Sequence, residues 1–443
     1  MDGMKQTGIR WIGEIPSSWN TKRVKYMATL KGRIGWQGLT SDEYQDEGAY
    51  LITGVDFDNG GINWDNCVHV PMKRWEEAKD IQIENGDLLI TKDGTIGKVA
   101  IVSEMPGETS LNSGVLRIIP EEGFSRRFLY WVIKSDEFWT WFNYKNAGNS
   151  TILHLYQGDF AEFTFAFPQY YEQELIADFL DRHCKRLDNI IGDLEKQIET
   201  LKAYKKSLIS ELVTKGLNRS VPMKDSSEES IGNVPKHWDV KDIKYISQLI
   251  TKGATPDDIS TIKDDLHPIR FLKAENIQND ILWEEPEFFI TKSDSIVLQR
   301  ADLHDKDILF VIAGATIGKV AIMRQELCPC RLNQAVCLIR MNDNQCPEYF
   351  TYALQSDVTT VAINLLTVQS AQPNLSMGNT ANIKLPVPPE TEQREIVEFL
   401  NRKCTEIDRV FSVKTDQLER MKKHRSSLIF EYVTGKKRVK EAQ

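Results

Sequence analysis

The sequence of 443 residues contains the same unit twice, and this duplication limits the fold more than any other feature. The offset between the two copies stays between 219 and 221 residues along the whole chain. The clearest matching pairs are 12–19 with 231–238, 95–101 with 316–322, 111–118 with 332–339, and 207–214 with 427–434. We therefore expect two copies of one fold, each made from about half of the chain.

The first part of each copy has the pattern of a mixed α/β domain. Short apolar runs at 87–90 and 99–102 flank KDGTIG at 92–97, which predicts a strand, a glycine turn and a second strand. The corresponding segment of the second copy is 308–322. Residues 128–141 carry aromatic side chains at helical spacing, so we predict one helix that packs under the sheet.

Each copy ends in a long amphipathic segment with a seven-residue apolar repeat, which is typical of a coiled coil. Lys205, Lys414 and Arg425 interrupt the apolar stripe with charge. A helix over 170–214 would be roughly 65–70 Å long. The predicted seam residues are Leu180, Leu187, Leu194, Leu201, Leu208, Leu400, Ile407, Leu418, Met421 and Leu428.

Neither long helix can bury its apolar stripe alone, so we expect the two helices to pair with each other, antiparallel. The predicted fold class is α+β: two mixed α/β domains separated by an antiparallel pair of coiled-coil helices, with a pseudo-two-fold internal repeat. The predicted segments are a first domain at 1–168, a helix at 169–215, a polar linker at 216–230, a second domain at 231–388, a helix at 389–436, and a tail at 437–443.

The charge distribution limits how the chain could bind nucleic acid. The net charge is −9, and the stretches 1–168 and 220–388 each carry −6. Phosphate binding needs lysine and arginine. A DNA-binding function therefore requires a local basic patch on an acidic body.

The sequence carries no pattern of a metal, membrane or exported protein. The seven cysteines form no disulfide-like framework, and Cys328 and Cys330 are too close together for a zinc knuckle. The N-terminal residues have no apolar stretch of signal-peptide length, and the chain has no apolar run of eighteen residues. We expect reduced cysteines, no bound metal, no membrane contact and a cytoplasmic location.

Motifs of catalysis are also missing from the sequence. The nearest approach to a phosphate-binding loop, 94–98, has the wrong spacing and is followed by Val99 where a serine or threonine is needed. An Asn/Asp-Pro-Pro-aromatic motif for amino-methyl transfer does not occur. We therefore predict that this chain is not an enzyme.

The motifs that close each copy carry a family resemblance. Glu-Gln at 172–173 and 392–393 follows a proline and precedes I-x-x-F-L at 176–180 and 396–400. With the repeated TIGK turn, this order resembles the specificity subunit of type I restriction-modification enzymes over nearly the whole chain.

The resemblance implies a function and a set of partners. Each domain would read one half of a split, asymmetric sequence on double-stranded DNA. Two modification (methyltransferase) subunits would bind S-adenosylmethionine, dock on the helices and methylate adenine. Restriction subunits would supply DNA translocation and cleavage with ATP and Mg²⁺. The resemblance thus assigns these cofactors to the partners and none to this chain.

Residues that are identical in both copies cannot account for different reading by the two domains. We interpret them as contacts to phosphate or as scaffold, which position a protein on DNA without specifying the sequence. For the glycines, a tight turn with positive φ remains the alternative. These residues are Thr95, Gly97, Lys98, Thr316, Gly318 and Lys319.

Base contacts are instead expected in segments that differ between the copies. An arginine can bind guanine through two hydrogen bonds, and an amide side chain can bind adenine in the same way. Solvated turns are the alternative for every one of these positions. The candidates are Arg33, Gln37, Lys92, Asn146, Asn149, Lys252, Gln369, Gln372 and Asn374.

Two other functions remain open from the sequence. A coiled-coil scaffold with two protein-binding end domains would suit the acidic composition. A recognition fragment of a larger fused methyltransferase-nuclease would need a catalytic domain elsewhere in the reading frame.

Overall fold

The computed structural model describes residues 3–33, 39–147, 153–278, 280–367 and 374–439. The chain divides into two compact units. Unit 1 consists of Met1–Glu195 and Asp416–Gln443, and unit 2 of Lys196–Thr415. Unit 1 therefore contains the end of the second long helix as well as the first copy, so its boundaries differ from the contiguous domains that we predicted.

Unit 1 contains thirteen described strands, most of them short. They are β1 (Met4–Gln6), β2 (Glu14–Pro16), β3 (Asn20–Arg23), β4 (Ala28–Gly32), β5 (Ala49–Ile52), β6 (Phe57–Asp58), β7 (Gly61–Ile62), β8 (Val68–Val70), β9 (Leu88–Thr91), β10 (Val99–Ile101), β11 (Thr109–Leu111), β12 (Val115–Pro120) and β13 (Thr164–Phe167). The helices are α1 (Met72–Glu76), α2 (Arg126–Ile133), α3 (Asp136–Lys145), α4 (Gln157–Ala161) and α5 (Tyr170–Lys215), which continues into unit 2.

The main sheet of unit 1 is antiparallel, with strand order β10-β9-β12-β4. A smaller sheet has the order β11-β5-β8, in which β11 and β5 are parallel. The predicted strand, turn and strand are confirmed as β9 and β10. One face of the main sheet packs on α2 and α3, and the other on the smaller sheet, so both faces are buried.

The prediction of a single helix over 128–141 is wrong, because α2 ends at Ile133 and α3 begins at Asp136. Ser135 causes the break. Its backbone is extended, and its hydroxyl accepts a hydrogen bond from the Glu137 amide, which caps α3. Aromatic residues continue at helical spacing on both sides of Ser135, so the pattern hid the interruption.

Unit 2 repeats this architecture. Its strands are β14 (Met223–Asp225), β15 (Asn233–Pro235), β16 (Asp239–Asp242), β17 (Ser247–Lys252), β18 (Ile259–Ser260), β19 (Ile269–Leu272), β20 (Ile277–Gln278), β21 (Ile281–Leu282), β22 (Phe289–Ile290), β23 (Ile308–Val311), β24 (Val320–Ile322), β25 (Cys330–Leu332), β26 (Val336–Met341) and β27 (Lys384–Val387). Its helices are α6 (Ile243–Ile246), α7 (Lys292–Val297), α8 (Pro347–Gln355), α9 (Asp357–Thr367), α10 (Met377–Ala381) and most of α11 (Glu390–Val433).

The main sheet of unit 2 has the order β17-β26-β23-β24, which matches that of unit 1 strand for strand. The segment 216–230, predicted as a linker, contains β14, which pairs with β15 as β1 pairs with β2. The repeat therefore begins eight residues earlier, at Met223, than the similarity at 231–238 indicated. A three-residue strand was too short to show in a polar sequence.

The long helices pair antiparallel within each unit. In unit 1, the rings of Phe179 and Tyr432 stack with centroids 4.3 Å apart, and Leu428 shares a core with Leu180. In unit 2, the C-terminal end of α5 shares a core with the N-terminal part of α11. The predicted antiparallel pair is confirmed by these contacts.

Two of the charged interruptions of the seam have acidic partners at equivalent positions. Arg425 Nε lies 2.6 Å from Asp188 in unit 1, and Lys205 Nζ lies 2.7 Å from Asp408 in unit 2. All ten predicted seam residues are buried or half-buried. Among the described residues, no helix is long and apolar enough to cross a membrane.

A buried aspartate directly precedes the equivalent strands β9 and β23 of the two copies. Asp87 in GDLL is 2% exposed and lies 2.8 Å from Arg117 Nε. Its equivalent in KDIL, Asp307, is 1% exposed and accepts two hydrogen bonds from Arg340, at 2.7 and 2.8 Å. Each aspartate also accepts a hydrogen bond from the backbone amide three residues before it, which fixes the turn into the strand.

Candidate nucleic-acid interface

The four strands of each main sheet present their loops at one common edge, which we call the turn edge. In unit 1, β4 and β9 end at this edge, while β10 and β12 begin there, because neighbouring strands are antiparallel. The turn edge therefore carries the loops around 32–33, 92–98 and 112–114. In unit 2, it carries those around 252–255, 312–319 and 333–335.

The segment before α4 also reaches the turn edge. The Leu155 amide donates to the Lys92 carbonyl at 2.9 Å, and in unit 2 the Leu375 amide donates to the Ile312 carbonyl at 2.8 Å. Asn374 forms a backbone bridge with Ala313. In each unit, the loop after the first strand of the main sheet, the residues at 92–93 or 312–313, and the residues next to Leu155 or Leu375 thus meet at the turn edge, although they are far apart in sequence.

The shared TIGK turn at 95–98 is held by internal contacts. Gly97 has a φ of +77°, and a Cβ placed there would lie 2.8 Å from Trp139 Cζ2. The Thr95 hydroxyl donates to the Gly54 carbonyl at 2.9 Å. Lys98 is exposed, and its ammonium lies 3.5 Å from the Phe57 carbonyl. A phosphate contact of the exposed Lys98 stays a prediction.

The second copy of the turn follows the same pattern. Gly318 has a φ of +89°, and a Cβ there would lie 3.0 Å from Ile363 Cδ1. The Thr316 carbonyl accepts a hydrogen bond from the Lys319 amide at 3.2 Å. Thr316 and Lys319 are both half-buried. The positive φ of the glycines supports the tight-turn interpretation that the sequence left open.

The described base-contact candidates differ in their environments. Lys92 is half-buried, while Lys252 and Asn374 are exposed, and all three belong to the turn edge. Asn146 caps the C-terminus of α3, where its Nδ2 donates to the Phe142 carbonyl at 2.8 Å. Four further candidates lie outside the described residues: Gln37, Asn149, Gln369 and Gln372.

Arg33 has a structural role in this conformation instead of the predicted contact with guanine. It is 6% exposed, and its Nε donates to the Leu111 carbonyl at 2.7 Å. A second nitrogen lies 3.2 Å from the Ser110 hydroxyl. Burial, more than the neighbouring charge of Arg74, lowers the pKa of Arg33 to about 10. We therefore leave Arg33 out of the proposed contacts.

The structure adds side chains that our sequence interpretation missed. His154 Nδ1 lies 2.6 Å from Asp93 Oδ1 at the turn edge of unit 1, beside Tyr156, which is 64% exposed. In unit 2, the Thr255 hydroxyl donates to Gln334 Oε1 at 2.8 Å. Asp93 lies in the predicted turn at 92–97, but its pairing with a histidine 61 residues away left no local signal.

The loop after β17 is closed by an ionic contact around a nearly buried histidine. His267 lies 3.0 Å from a carboxylate oxygen of Asp258 and 3.0 Å from one of Asp264. The hydrogen bond to Asp258 raises the pKa of His267, against a smaller lowering by burial. Backbone amides of the same loop donate to Asp294 on α7.

We expect this loop to loosen at alkaline pH. Because the folded-state pKa of His267 is raised, its contribution is complete below about pH 6.5 and is lost as the pH rises through that folded-state value. Hydrogen exchange over 257–267 should therefore be faster at pH 8.5 than at pH 6, after correction for intrinsic rates. In His267→Gln this additional acceleration should be absent; its persistence would contradict the assignment to His267.

Comparison with known proteins identifies the family. The family model "Type I restriction modification DNA specificity domain" matches twice, at residues 16–200 and 235–409. The chain belongs to this family. Both matches include the turn edge and part of a long helix, so the duplication in the sequence is a duplication of the specificity domain.

Other members of the specificity family match over nearly their full length. A putative type I restriction enzyme MjaX specificity subunit from Methanocaldococcus jannaschii is 26% identical, with 97% of this chain and 96% of the relative covered. The EcoKI specificity subunit of Escherichia coli K12 is 23% identical, with 96% and 90% covered. The chain is thus a type I restriction-modification specificity subunit.

A solved structure supports the fold independently of sequence. The structure comes from work on the "Structural basis underlying complex assembly and conformational transition of the type I R-M system". Its chain superimposes on this chain with a TM-score of 0.68, at 13% sequence identity. The match covers 95% of this specificity subunit and 98% of the solved chain.

Proposed function

We propose that each unit reads one half of a bipartite, asymmetric sequence on double-stranded DNA through its turn edge. The observation that carries this proposal is that the loop after β4 or β17, the residues at 92–93 or 312–313, and the residues next to Leu155 or Leu375 meet the shared TIGK turn at one edge of the main sheet. Their sequences differ between the two copies. Shared residues such as Lys98 and Lys319 would hold phosphates, while Lys92, Lys252 and Asn374 would contact bases.

We further propose that the paired helices dock two modification subunits. Ile190 and Val410, at equivalent positions of the two long helices, are 46% and 45% exposed. Apolar side chains outside the seam are suited to a protein partner. Methyl transfer from S-adenosylmethionine would then occur in these modification subunits, and ATP- and Mg²⁺-dependent cleavage in restriction subunits, with no catalytic site in this chain.

Methylome sequencing of a host with and without this gene tests the proposal. We expect loss of one bipartite, adenine-methylated motif when the gene is deleted. Exchange of the recognition segments of one unit should change one half of the motif and leave the other half intact. An unchanged methylome, in a strain that expresses the gene and active modification subunits, would instead favour the scaffold function that the acidic composition suggests.

Neutralising a shared lysine should weaken binding equally for all sequences. We expect Lys98→Gln or Lys319→Gln to make the negative slope of log affinity against log salt less steep by about 0.9 each, because one phosphate contact is lost. Base preferences should stay the same. Lys5→Gln, an exposed residue of β1, is the matched control and should leave the slope unchanged. The measurement is fluorescence anisotropy on duplex DNA between 50 and about 200 mM salt.

A further inference from the structure

The backbone of the turn edge is similar in the two units, but the side chains differ at one pair of equivalent positions. In unit 1 the pair is Asp93 and His154, and in unit 2 the equivalent residues are Ala313 and Asn374. The adjoining backbone hydrogen bonds, from Leu155 to Lys92 and from Leu375 to Ile312, are the same within 0.1 Å. The difference between the units at this site therefore lies in the side chains.

The Asp93 carboxylate determines which nitrogen of His154 is free to bind a ligand. An ionised carboxylate only accepts hydrogen bonds, so Nδ1 must carry the proton in the 2.6 Å contact with Asp93 Oδ1. In the neutral ring, Nε2 is then an acceptor. Within the described part of the chain, Nε2 makes no hydrogen bond, so this acceptor is available.

The surroundings of the pair are suited to a planar ligand. The side chains of His154 and Asp93 are 41% and 42% exposed. The Tyr156 ring lies 5.9 Å from the His154 ring and is 64% exposed. His154 Nε2 and the Asp93 carboxylate thus place hydrogen-bond acceptors beside an exposed aromatic ring. The amino group on the edge of a base is a suitable donor for these acceptors.

We propose that His154, oriented by Asp93, accepts a hydrogen bond from the exocyclic amino group of a base, adenine N6 or cytosine N4, in the half-site read by unit 1. The inference rests on the proposed function and names a residue for it. The equivalent residue of unit 2, Asn374, carries both a hydrogen-bond donor and an acceptor. The two units would therefore contact their half-sites through different hydrogen-bonding groups, the His154 ring in unit 1 and the Asn374 amide in unit 2.

The first test is selection from a random duplex library. The probe is the full-length chain assembled with its modification subunits, and the variants are His154→Ala and Asp93→Ala, the latter giving unit 1 the residue of unit 2. We expect both variants to relax one and the same base pair of one half-site. The matched control, Asn374→Ala, should alter only the other half-site.

The second test removes the amino group from the DNA. At the relaxed position, adenine is replaced by unsubstituted purine, or cytosine by 2-pyrimidinone. We expect wild type to lose about 10-fold in affinity, and His154→Ala to bind the two duplexes within about 2-fold of each other. If His154 had a merely structural role, removing the amino group would reduce the affinity of wild type and of His154→Ala by the same factor. The DNA change would then act independently of the side chain, and the two effects would be additive.

The outcomes separate this inference from the function on which it rests. If wild type selects a bipartite motif and His154→Ala selects the same one, His154 does not read a base and the inference fails alone. If wild type selects no motif, the proposed function fails and the inference fails with it. An unchanged thermal unfolding curve for His154→Ala excludes loss of the fold as the cause of a relaxed motif.

Discussion

Replacing Asp307 by alanine should destabilise unit 2 by about 1.5–3 kcal/mol, the cost typical of losing hydrogen bonds between charged groups. Asp307 is 1% exposed and accepts hydrogen bonds from Arg340 and from the His304 amide. Without the carboxylate, the half-buried Arg340 keeps its hydrogen bond to the Asp302 carbonyl but loses both hydrogen bonds to Asp307, and the His304 amide loses its acceptor. Urea unfolding followed by hydrogen exchange in β23 would measure the loss.

The controls for this prediction come from the same unit. Asp343→Ala removes an exposed carboxylate and should change the stability by less than about 0.5 kcal/mol. Asp307→Asn keeps an acceptor for one donor and should fall between wild type and alanine. Unfolding of Asp307→Ala at the urea concentration of wild type would show that the ion pair does not hold the turn into β23.

Glu137→Val should have the opposite effect and stabilise unit 1, by about 1–3 kcal/mol at neutral pH. Glu137 is fully buried in α3, and neither of its side-chain oxygens hydrogen-bonds to a described residue. Burial raises the pKa of Glu137 well above its ordinary value, and the charge of Lys436 and the nearby backbone of Ala166 offset this only in part. The equivalent residue of unit 2 is Val358, which is 2% exposed.

The gain from Glu137→Val should depend on pH. Because the folded-state pKa of this carboxyl is raised, the folded state holds a proton that the unfolded chain releases above about pH 4.5, so wild-type stability falls as the pH rises. The valine variant should therefore gain more at pH 8 than at pH 5, in urea unfolding monitored by exchange in α3. Glu137→Gln should remove the pH dependence but keep the unpaired polar group. An equal gain at both pH values would contradict a titrating Glu137.

Periodic features of this chain could be predicted from sequence. The heptads at Leu180 to Leu208 gave the paired helices, and the apolar runs around the TIGK turn gave β9 and β10. Both patterns repeat over several residues, so one exception does not hide them. The duplication confirmed each pattern a second time.

Features decided by a single distant contact could not be predicted. Arg33 was predicted to contact guanine, but its guanidinium binds a backbone carbonyl 78 residues away. A carbonyl leaves no mark in a sequence, since every residue has one. Two other features could not be predicted for related reasons. The pairing of Asp93 with His154 depends on how the chain folds back on itself. The break at Ser135 depends on a single capping residue within an aromatic run.

The discontinuous make-up of unit 1 has a consequence for how the protein is made on the ribosome. Unit 2 is one continuous stretch, whereas the core of unit 1 includes Leu428, Ile429 and Val433 from the last turns of α11. Unit 1 can therefore complete its core only after these residues of α11 have left the exit tunnel. Until then, part of the apolar surface of its N-terminal segment stays uncovered. Synthesis from the N-terminus thus completes the later recognition unit before the earlier one.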